Sequence, residues 1–217
     1  MHPVIKDLKG RHTCKKYDAT KKIPKEKLEI LYEAMRLSAS SINSQPWKFI
    51  VLESKEAKER MYQTFAHKYQ FNKAHILEAS HVILFAHHPH YTREDYAKVV
   101  DKSIMDGRIK EQERENAFGG FIFAQINTDT NGYTGTWTKA QLYLALGNTL
   151  HTLARLGIDS TCLEGIDTAL VNHAFEDELA GYTCEVALAI GYHDRDKDYN
   201  AKLPKSRLSK EDIFIYL

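Results

Sequence analysis

A basic segment near the N-terminus carries the residue types that bind anions. The run RHTCKKY places Arg11, His12, Thr13 and Lys15 within five residues, just after a predicted short N-terminal helix. Guanidinium, imidazole, hydroxyl and ammonium groups at this density can bind a phosphate or a carboxylate. A solvated basic turn is the alternative, and it is the commoner origin of such a run because charged side chains usually lie at the surface.

Two later segments also contain residues that could contact a ligand, but each is weaker evidence for a binding site. In LPKSR, residues 203–207, Lys205 and Arg207 are spaced to clamp a phosphate, although a solvated tail is the commoner origin of such a stretch. In LEGI, residues 163–166, Gly165 would let a ligand approach the backbone closely. A plain turn before a helix that Asp167 opens is the alternative for this second segment.

A loop rich in small polar groups separates a predicted helix from a predicted strand. This loop is SASSINSQPW, residues 38–47, and it presents several hydroxyl and amide groups without bulk. Pro46 restricts the residue before it, so Gln45 is predicted to be extended and no helix continues past it. A simple helix-to-strand connection is the alternative to a binding loop.

Several common catalytic motifs are absent from the sequence. There is no GxGxxG after a strand, no GxxxxGK[ST], no GxSxG and no HExxH. The run His87-His88-Pro89-His90 invites a metal interpretation, but Pro89 disturbs the regular projection of the three rings. We therefore predict no metal site.

Composition narrows the functional classes further. The 217 residues are 43% apolar, which is enough for a packed core, and the net charge of +1 lacks the basic excess of nucleic-acid binders. No apolar run approaches the ~18–20 residues that span a bilayer, and Lys6, Asp7 and Lys9 interrupt any signal peptide. Three scattered cysteines without CxxC spacing indicate free thiols. We therefore expect a cytoplasmic protein without nucleic-acid or membrane partners.

Helices and strands are mixed along the chain, and no linker divides it. Helices are predicted over 24–37, from Ser54 to about 65, over 93–105 with Thr92 as cap, over 109–125, and over 137–156 ending at Gly157. Strands are predicted over 47–52, 81–86 and 184–192. Because the strands are too few for a βαβ repeat, the pattern favours an α+β fold with helices around a small sheet, in one domain over 1–217.

Two apolar segments need a partner surface. The leucines of the helix 137–156 do not fit one stripe, which predicts that this helix lies in the middle of the protein or in a subunit interface. The last residues, DIFIYL at 212–217, are apolar and short. Addition of this tail to a sheet edge, for example on a partner subunit, would bury it.

Taken together, in this order and spacing, these segments resemble the FMN-dependent nitroreductase family. The resemblance is to the oxygen-insensitive nitroreductases and, more closely, the NAD(P)H:FMN oxidoreductases of luminous bacteria. The motifs that carry it, over about residues 5–210, are NSQPW at 43–47, FN at 71–72, ASH at 79–81 before a strand, GN at 147–148, EG at 164–165 and LPKSR at 203–207. Each motif alone is weak, but the set is specific.

The resemblance implies a nitroreductase-like sandwich with a small, mostly antiparallel sheet. It also implies an intertwined homodimer, with the helix 137–156 in the dimer core, the C-terminal arm exchanged onto the partner, and one FMN in each of two sites between the subunits. NAD(P)H would be the co-substrate, and free flavins, nitroaromatics or quinones would accept the electrons in a ping-pong reaction. No catalytic acid or base is nominated, because hydride transfer requires only a nicotinamide ring stacked on the flavin.

The same resemblance assigns the site residues by position. Arg11, Lys205 and Arg207 would hold the FMN phosphate, with His12 and Thr13 beside them. Lys15 would lie near N1 and O2 of the flavin, and the backbone of Glu164 and Gly165 would lie near N5. The ring would also contact Asn72, His75 and Gln141 along its length and Cys162 and Leu163 beside it. The opposite subunit would contribute Ser40, Ser41 and Asn43. The implied substrate channel is lined by Phe123, Tyr69 and Phe71. A cation beside N1 and O2 stabilises the anionic reduced ring.

Three positions depart from the family pattern. Ala39 stands where many relatives have proline, which would loosen the loop, and His75 stands where the enteric nitroreductases have lysine. A histidine there predicts pH-dependent stabilisation of the reduced flavin. Cys162 replaces a proline beside the ring, so its oxidation would be expected to perturb FMN binding.

Two other classes stay open at this point. A non-reductase flavin-binding member of the same fold would bind flavin but oxidise little NAD(P)H. A scaffold protein, whose polar clusters are only solvated turns, would stay colourless after exposure to FMN.

Overall fold

A four-stranded antiparallel sheet lies at the centre of the computed structural model, which describes residues 1–217. Its strands are β1 (Trp47–Leu52), β2 (His81–His87), β3 (Asp159–Leu163) and β4 (Thr183–Gly191). They are arranged in the order β1-β2-β4-β3, with Phe49 opposite Phe85 and Ile83 opposite Leu188. Every residue of the inner strand β2 is buried, which explains its continuous apolar run.

Eleven α-helices surround this sheet. They are α1 (Pro3–Gly10), α2 (Lys25–Arg36), α3 (Lys55–Gln63), α4 (Lys73–Glu78), α5 (Arg93–Met105), α6 (Arg114–Ala117), α7 (Ile122–Gln125), α8 (Gly135–Leu156), α9 (Thr168–Ala174), α10 (Glu176–Leu179) and α11 (Lys210–Ile213). None of them is long and apolar enough to cross a membrane.

The two faces of the sheet carry separate cores. Because successive side chains of a strand point to opposite faces, Val82 and Leu84 pack with residues of α3 and α9, whereas Ile83 and Phe85 pack with residues of α2 and α8. A third, smaller cluster gathers aromatic residues from the segment between β2 and α8, including Tyr96 and Phe118. The helix–sheet–helix sandwich predicted from the sequence is confirmed.

Local capping chemistry places several helices where the sequence predicts them. The Ser54 side chain accepts a hydrogen bond from the backbone N–H of Ala57, and Thr92 with Asp95 forms a capping box. At the end of α8, Gly157 adopts a left-handed conformation with φ 66°. The three predicted strands are confirmed to within one residue at each end.

Two predictions about local structure were wrong. The segment 109–125 is not one helix but alternates short 3₁₀ and α pieces, with Phe118–Phe121 as a 3₁₀ turn around two glycines that weaken helix formation. Gln45 is not extended, since its φ is 45°. Hydrogen bonds from its N–H to Ser40 Oγ at 2.9 Å and from its side chain to the Asn43 carbonyl at 3.0 Å hold this conformation.

The two apolar segments remain partly uncovered in the single chain. Helix α8 buries Leu142, Ala145 and Leu146 against the sheet, but Leu144 on its opposite face is 57% exposed. Of the two locations predicted for α8, burial in the middle of one chain therefore does not account for Leu144, and the subunit interface stays a prediction. The C-terminal tail is exposed from residue 203 onward, so it contacts no sheet edge of its own chain.

Candidate functional site

A basic cradle forms where the N-terminal segment meets the C-terminal stretch. Lys205 Nζ donates a hydrogen bond to the backbone carbonyl of Arg11, and Arg207 lies in the same lining. These residues border a cavity of about 280 Å³ whose lining contains no carboxylate. Burial, followed by the charges of Arg11 and Arg207, lowers the pKa of Lys205. Three cations that face one another without an anion suit a phosphate group.

A buried carboxylate, Asp198, holds the backbone beneath this cradle. Its Oδ1 accepts from the backbone N–H of Lys15 and of Asn200, both at 3.1 Å, and its Oδ2 lies 2.9 Å from His12 Nε2. Asn200 in turn donates from Nδ2 to the Thr13 carbonyl at 2.7 Å. Burial would raise the pKa of Asp198, but these hydrogen bonds more than offset it, so its pKa lies below the ordinary value.

Sequence reasoning missed Asp198 and Asn200. They lie in a polar stretch in which Asp194 and Asp196 have the same appearance. The only signal is the Asx-type spacing, in which Asp198 accepts from the backbone of Asn200 two residues on. That spacing indicates a turn but does not show which distant segment the turn supports.

A second part of the site is built around Gly165, just beyond β3. Asn72 Nδ2 donates to the Gly165 carbonyl at 2.9 Å. A Cβ at position 165 would lie 2.9 Å from that same Nδ2 and 3.1 Å from Tyr69 Cδ1. Only glycine fits here without displacing these neighbours, and the expected approach of a ligand to the Gly165 backbone stays a prediction.

Lys15 and His75 are the two titratable residues predicted to contact the flavin in this second part. Lys15 is exposed, whereas His75 is buried and its Nδ1 has no hydrogen-bond partner. Burial, and then the charge of Lys15, lowers the pKa of His75. The imidazole is therefore neutral at neutral pH, and its unpaired nitrogen is available to a bound polar group.

The end of β3 supplies the remaining predicted contacts near Gly165. Leu163 is buried, and Glu164 accepts a hydrogen bond at 2.7 Å from the hydroxyl of Tyr143 on α8. Burial raises the pKa of Cys162 to about 11, although Arg11 acts in the opposite direction. The thiol stays protonated at neutral pH, which disfavours its oxidation, and the effect of such oxidation on FMN binding stays a prediction.

The polar loop lies apart from these two groups within one chain. Its residues Ser41–Asn43 form a 3₁₀ turn, and the Ser41 N–H donates to Gln141 Oε1 at 2.7 Å. Gln141 Nε2 donates to the Trp137 carbonyl at 3.3 Å. Both ends of the Gln141 amide are thus occupied within the chain. Ser40 holds the loop from inside by accepting the Gln45 N–H at 2.9 Å.

The predicted channel residues lie in two places. Tyr69 and Phe71 pack edge-to-face with ring centroids 6.3 Å apart beside Gly165. Phe123 lies on α7, next to Ala124 of the third core cluster, and is 51% exposed. Its exposure leaves the ring free to face another surface, but the single chain does not bring it to Tyr69.

The amino-acid sequence is similar to those of known flavin reductases and nitroreductases. The model of the nitroreductase family matches residues 8–192. The chain is 59% identical over 216 residues to the major NAD(P)H-flavin oxidoreductase of Aliivibrio fischeri, covering 100% of this chain and 99% of that protein. It is 36% identical over 205 residues to the oxygen-insensitive NAD(P)H nitroreductase of Enterobacter cloacae, covering 94% of each.

Solved structures share the fold. A nitroreductase from Exiguobacterium sibiricum, in complex with FMN, superposes with a TM-score of 0.82 at 22% identity, covering 100% of this chain and 98% of that one. An NAD(P)H:FMN oxidoreductase from Staphylococcus epidermidis gives a TM-score of 0.83 at 19% identity, covering 100% and 97%.

Proposed function

The chain belongs to the nitroreductase family, and from this premise we propose that it is an FMN-containing, NAD(P)H-dependent oxidoreductase. Its acceptors are free flavins, nitroaromatics or quinones, and a single FMN-binding domain spans residues 1–217. The observation that carries the proposal is the carboxylate-free cradle of Arg11, Lys205 and Arg207. We expect the protein to act in the cytoplasm, in keeping with its three unpaired thiols.

The residues present fit FMN at both of its ends. The cradle offers two guanidinium groups and an ammonium group to a dianionic phosphate, and Thr13 lines the same cavity. At the other end, buried His75 has a nitrogen, Nδ1, without a hydrogen-bond partner. Asn72 lies so close to Gly165 that no side chain larger than hydrogen fits at position 165.

When bound, FMN supplies the two-electron chemistry that accepts hydride from NAD(P)H and passes electrons to the acceptor in a ping-pong cycle. The chain's own residues bind and orient the participants. Lys15 would provide positive charge for the N1 and O2 edge of the ring, and the backbone of Glu164 and Gly165 would border N5. Cys162 and Leu163 would lie beside the ring. No side chain is required as acid or base, so alignment over the ring is the main contribution of the protein.

We also propose that the active form is a homodimer. The single chain leaves Leu144 of α8 and the apolar residues of the tail uncovered, with Ile215 88% and Tyr216 85% exposed. An uncovered apolar area of this kind is unfavourable in a monomer, and a second copy of the chain would bury it. Ser40, Ser41 and Asn43 would then meet the flavin of the other subunit, and Phe123 would line the substrate channel.

The test begins with FMN-reconstituted, desalted protein and an absorbance spectrum, followed by anaerobic addition of NADH. The proposal predicts a retained yellow flavin that bleaches with NADH and recovers when quinone, nitrofurazone or free FMN is added. A flavin that stays yellow would support the non-reductase class instead. A colourless protein would refute the flavin site altogether.

Charge-neutralising variants test the cradle itself. Arg207→Gln and Lys205→Gln each remove one charge-assisted hydrogen bond, worth roughly 1.5–3 kcal/mol, so each should weaken FMN binding about 10- to 150-fold. Lys202→Gln is the matched control, because Lys202 is exposed in the same stretch but does not line the cavity. Equal losses in all three variants would show that general charge, rather than the cradle, governs binding.

A further inference from the structure

Two histidines and an aspartate meet in a second cavity, which adjoins the phosphate cradle and shares Arg11 and His12 with it. His12, Asp159 and His193 each offer a ligand atom, and these atoms lie within 4.8 Å of one another. All three line a cavity of about 600 Å³ that extends from α1 to the start of β3. His12 Nδ1 is 3.8 Å from Asp159 Oδ1, and His193 Nδ1 is 2.8 Å from Asp159 Oδ2.

The fold fixes the positions of these three residues. Asp159 begins β3 and pairs with Gly191 at the end of β4, so His193 lies directly beside it. The backbone N–H of His193 donates to Asp159 Oδ2 at 2.9 Å, and an isolated bridge joins His193 to Tyr17. The cluster is therefore held by β3 on one side and by the Tyr17 segment on the other, which limits the cost of organising it around a ligand.

Asp198 sets the orientation of the His12 ring. This carboxylate is completely buried and lies 2.9 Å from His12 Nε2. Because a carboxylate only accepts hydrogen bonds, Nε2 carries the proton and the Nδ1 lone pair is directed toward Asp159. A carboxylate behind a histidine is the arrangement that orients metal-ligating imidazoles and raises their basicity.

We propose that His12, Asp159 and His193 bind a divalent transition-metal ion of the Zn²⁺ class. Two imidazoles and one carboxylate form a donor set that suits this class. Ligand bonds of ~2.0–2.1 Å at a tetrahedral ion place ligand atoms ~3.3 Å apart, and the observed 2.8 and 3.8 Å separations lie on either side of that spacing. The ion takes the place of the proton on His193 Nδ1, and the neutral ring then carries that proton on Nε2.

The charges around the cavity determine what completes the coordination. Arg11, Lys21 and Arg195 line it, and Lys21 is paired with Asp18 at 2.8 Å. The two arginines weaken the affinity for a bare cation but favour an anionic group, such as hydroxide, in the open fourth position.

The run His87-His88-Pro89-His90 is not a comparable site. His87 bonds to Thr138, His88 faces Asp95 and His90 bonds to the Gly132 carbonyl, so the three rings point to different partners. This divergence agrees with the expected disturbance by Pro89. The proposed site instead joins residues far apart in sequence, which is why the sequence predicts no metal.

Equilibrium dialysis of the untagged, FMN-loaded protein against Zn²⁺, with zinc measured by atomic absorption, tests the proposal. We expect one high-affinity equivalent per chain. His193→Gln and Asp159→Asn should each weaken it at least about 10-fold, and Asp198→Asn about 10- to 100-fold through the ring of His12. His67→Gln, which removes an exposed histidine elsewhere, should bind like the wild type.

Three results would overturn the proposal. The first is that the wild type binds no stoichiometric equivalent of zinc. The second is that both His193→Gln and Asp159→Asn bind zinc as the wild type does. The third is that His90→Gln, rather than those two variants, loses the bound zinc. Circular dichroism of each variant checks that the fold is intact, and His193→Gln alone decides the question if Asp198→Asn does not fold. Flavin content is measured separately, so failure of the zinc site and failure of the flavin site remain distinguishable.

Discussion

Protonation of His87 is expected to destabilise the fold in mild acid. This residue ends β2 and is 1% exposed. Its Nδ1 lies 2.9 Å from Thr138 Oγ1, whose hydroxyl donates to the His88 carbonyl at 2.8 Å. Nδ1 therefore carries the proton, and Nε2 is a buried nitrogen without a partner. Burial, and then the charge of Lys139, lowers the pKa of His87 from 6.5 to about 4.

The size and sign of this effect follow from proton linkage. Between pH 6.5 and about 4 the unfolded chain binds a proton at position 87 that the folded chain does not, so stability falls as the pH falls through this window. Between pH 7 and pH 5 the loss from this one group is about 2 kcal/mol in the free energy of unfolding. Below the folded pKa both states are protonated, and the loss stops growing.

Urea denaturation of the FMN-loaded protein at pH 7 and pH 5 measures the effect. His87→Asn retains a side-chain group that can reach Thr138 but cannot titrate, so its stability should fall by about 2 kcal/mol less than that of the wild type over the same pH change. His67→Asn, at an exposed position, should keep the wild-type change. An equal loss in wild type and His87→Asn would refute the assignment of acid sensitivity to this ring.

Three further outcomes are expected. His75→Lys should raise the reduction potential of bound FMN at pH 7, because burial lowers the pKa of the native imidazole and leaves it neutral there; identical potentials from pH 5 to 8 in a redox titration would contradict this. Gly165→Ala should weaken FMN binding, measured by fluorescence titration, about tenfold or more, because the new methyl group would lie 2.9 Å from Asn72 Nδ2. Gly119 has open space around it, so Gly119→Ala should have little effect in the same titration. Deletion of residues 208–217 should shift the mass measured by light scattering from dimer to monomer, and an unchanged mass would argue against a tail docked on the partner.

The sequence predicts those elements whose determinants are local. Ser54, Thr92 and Gly157 bound their helices through contacts within a few residues, so the predicted limits are close to those observed. Strand β3 was missed because Asp159–Leu163 is half polar and becomes a strand only by pairing with β4. Helix α4 has six residues, too few to show a period.

The residues of the candidate site likewise fall into those that the sequence could identify and those that it could not. Motif residues such as Arg11, Asn72 and Lys205 could be named because family resemblance preserves their order along the chain. Asp198 could not, because its importance comes from accepting the backbone N–H of Lys15, 183 positions earlier in the sequence. Long-range contacts of this kind are invisible to periodicity and propensity.

The joining of Asp198 to Lys15 and of Asn200 to Thr13 has a consequence for biosynthesis. The floor of the proposed phosphate cradle needs residues 13–15 together with residues 198–200, so a nascent chain on the ribosome lacks it until residue 200 has emerged. Proteins are synthesised from the N-terminus, and contacts between distant segments form late in folding. If the cradle binds FMN as we propose, capture of the cofactor must wait until residues 198–207 have emerged, and a product that terminates before them cannot withdraw flavin from the cellular pool through this cradle.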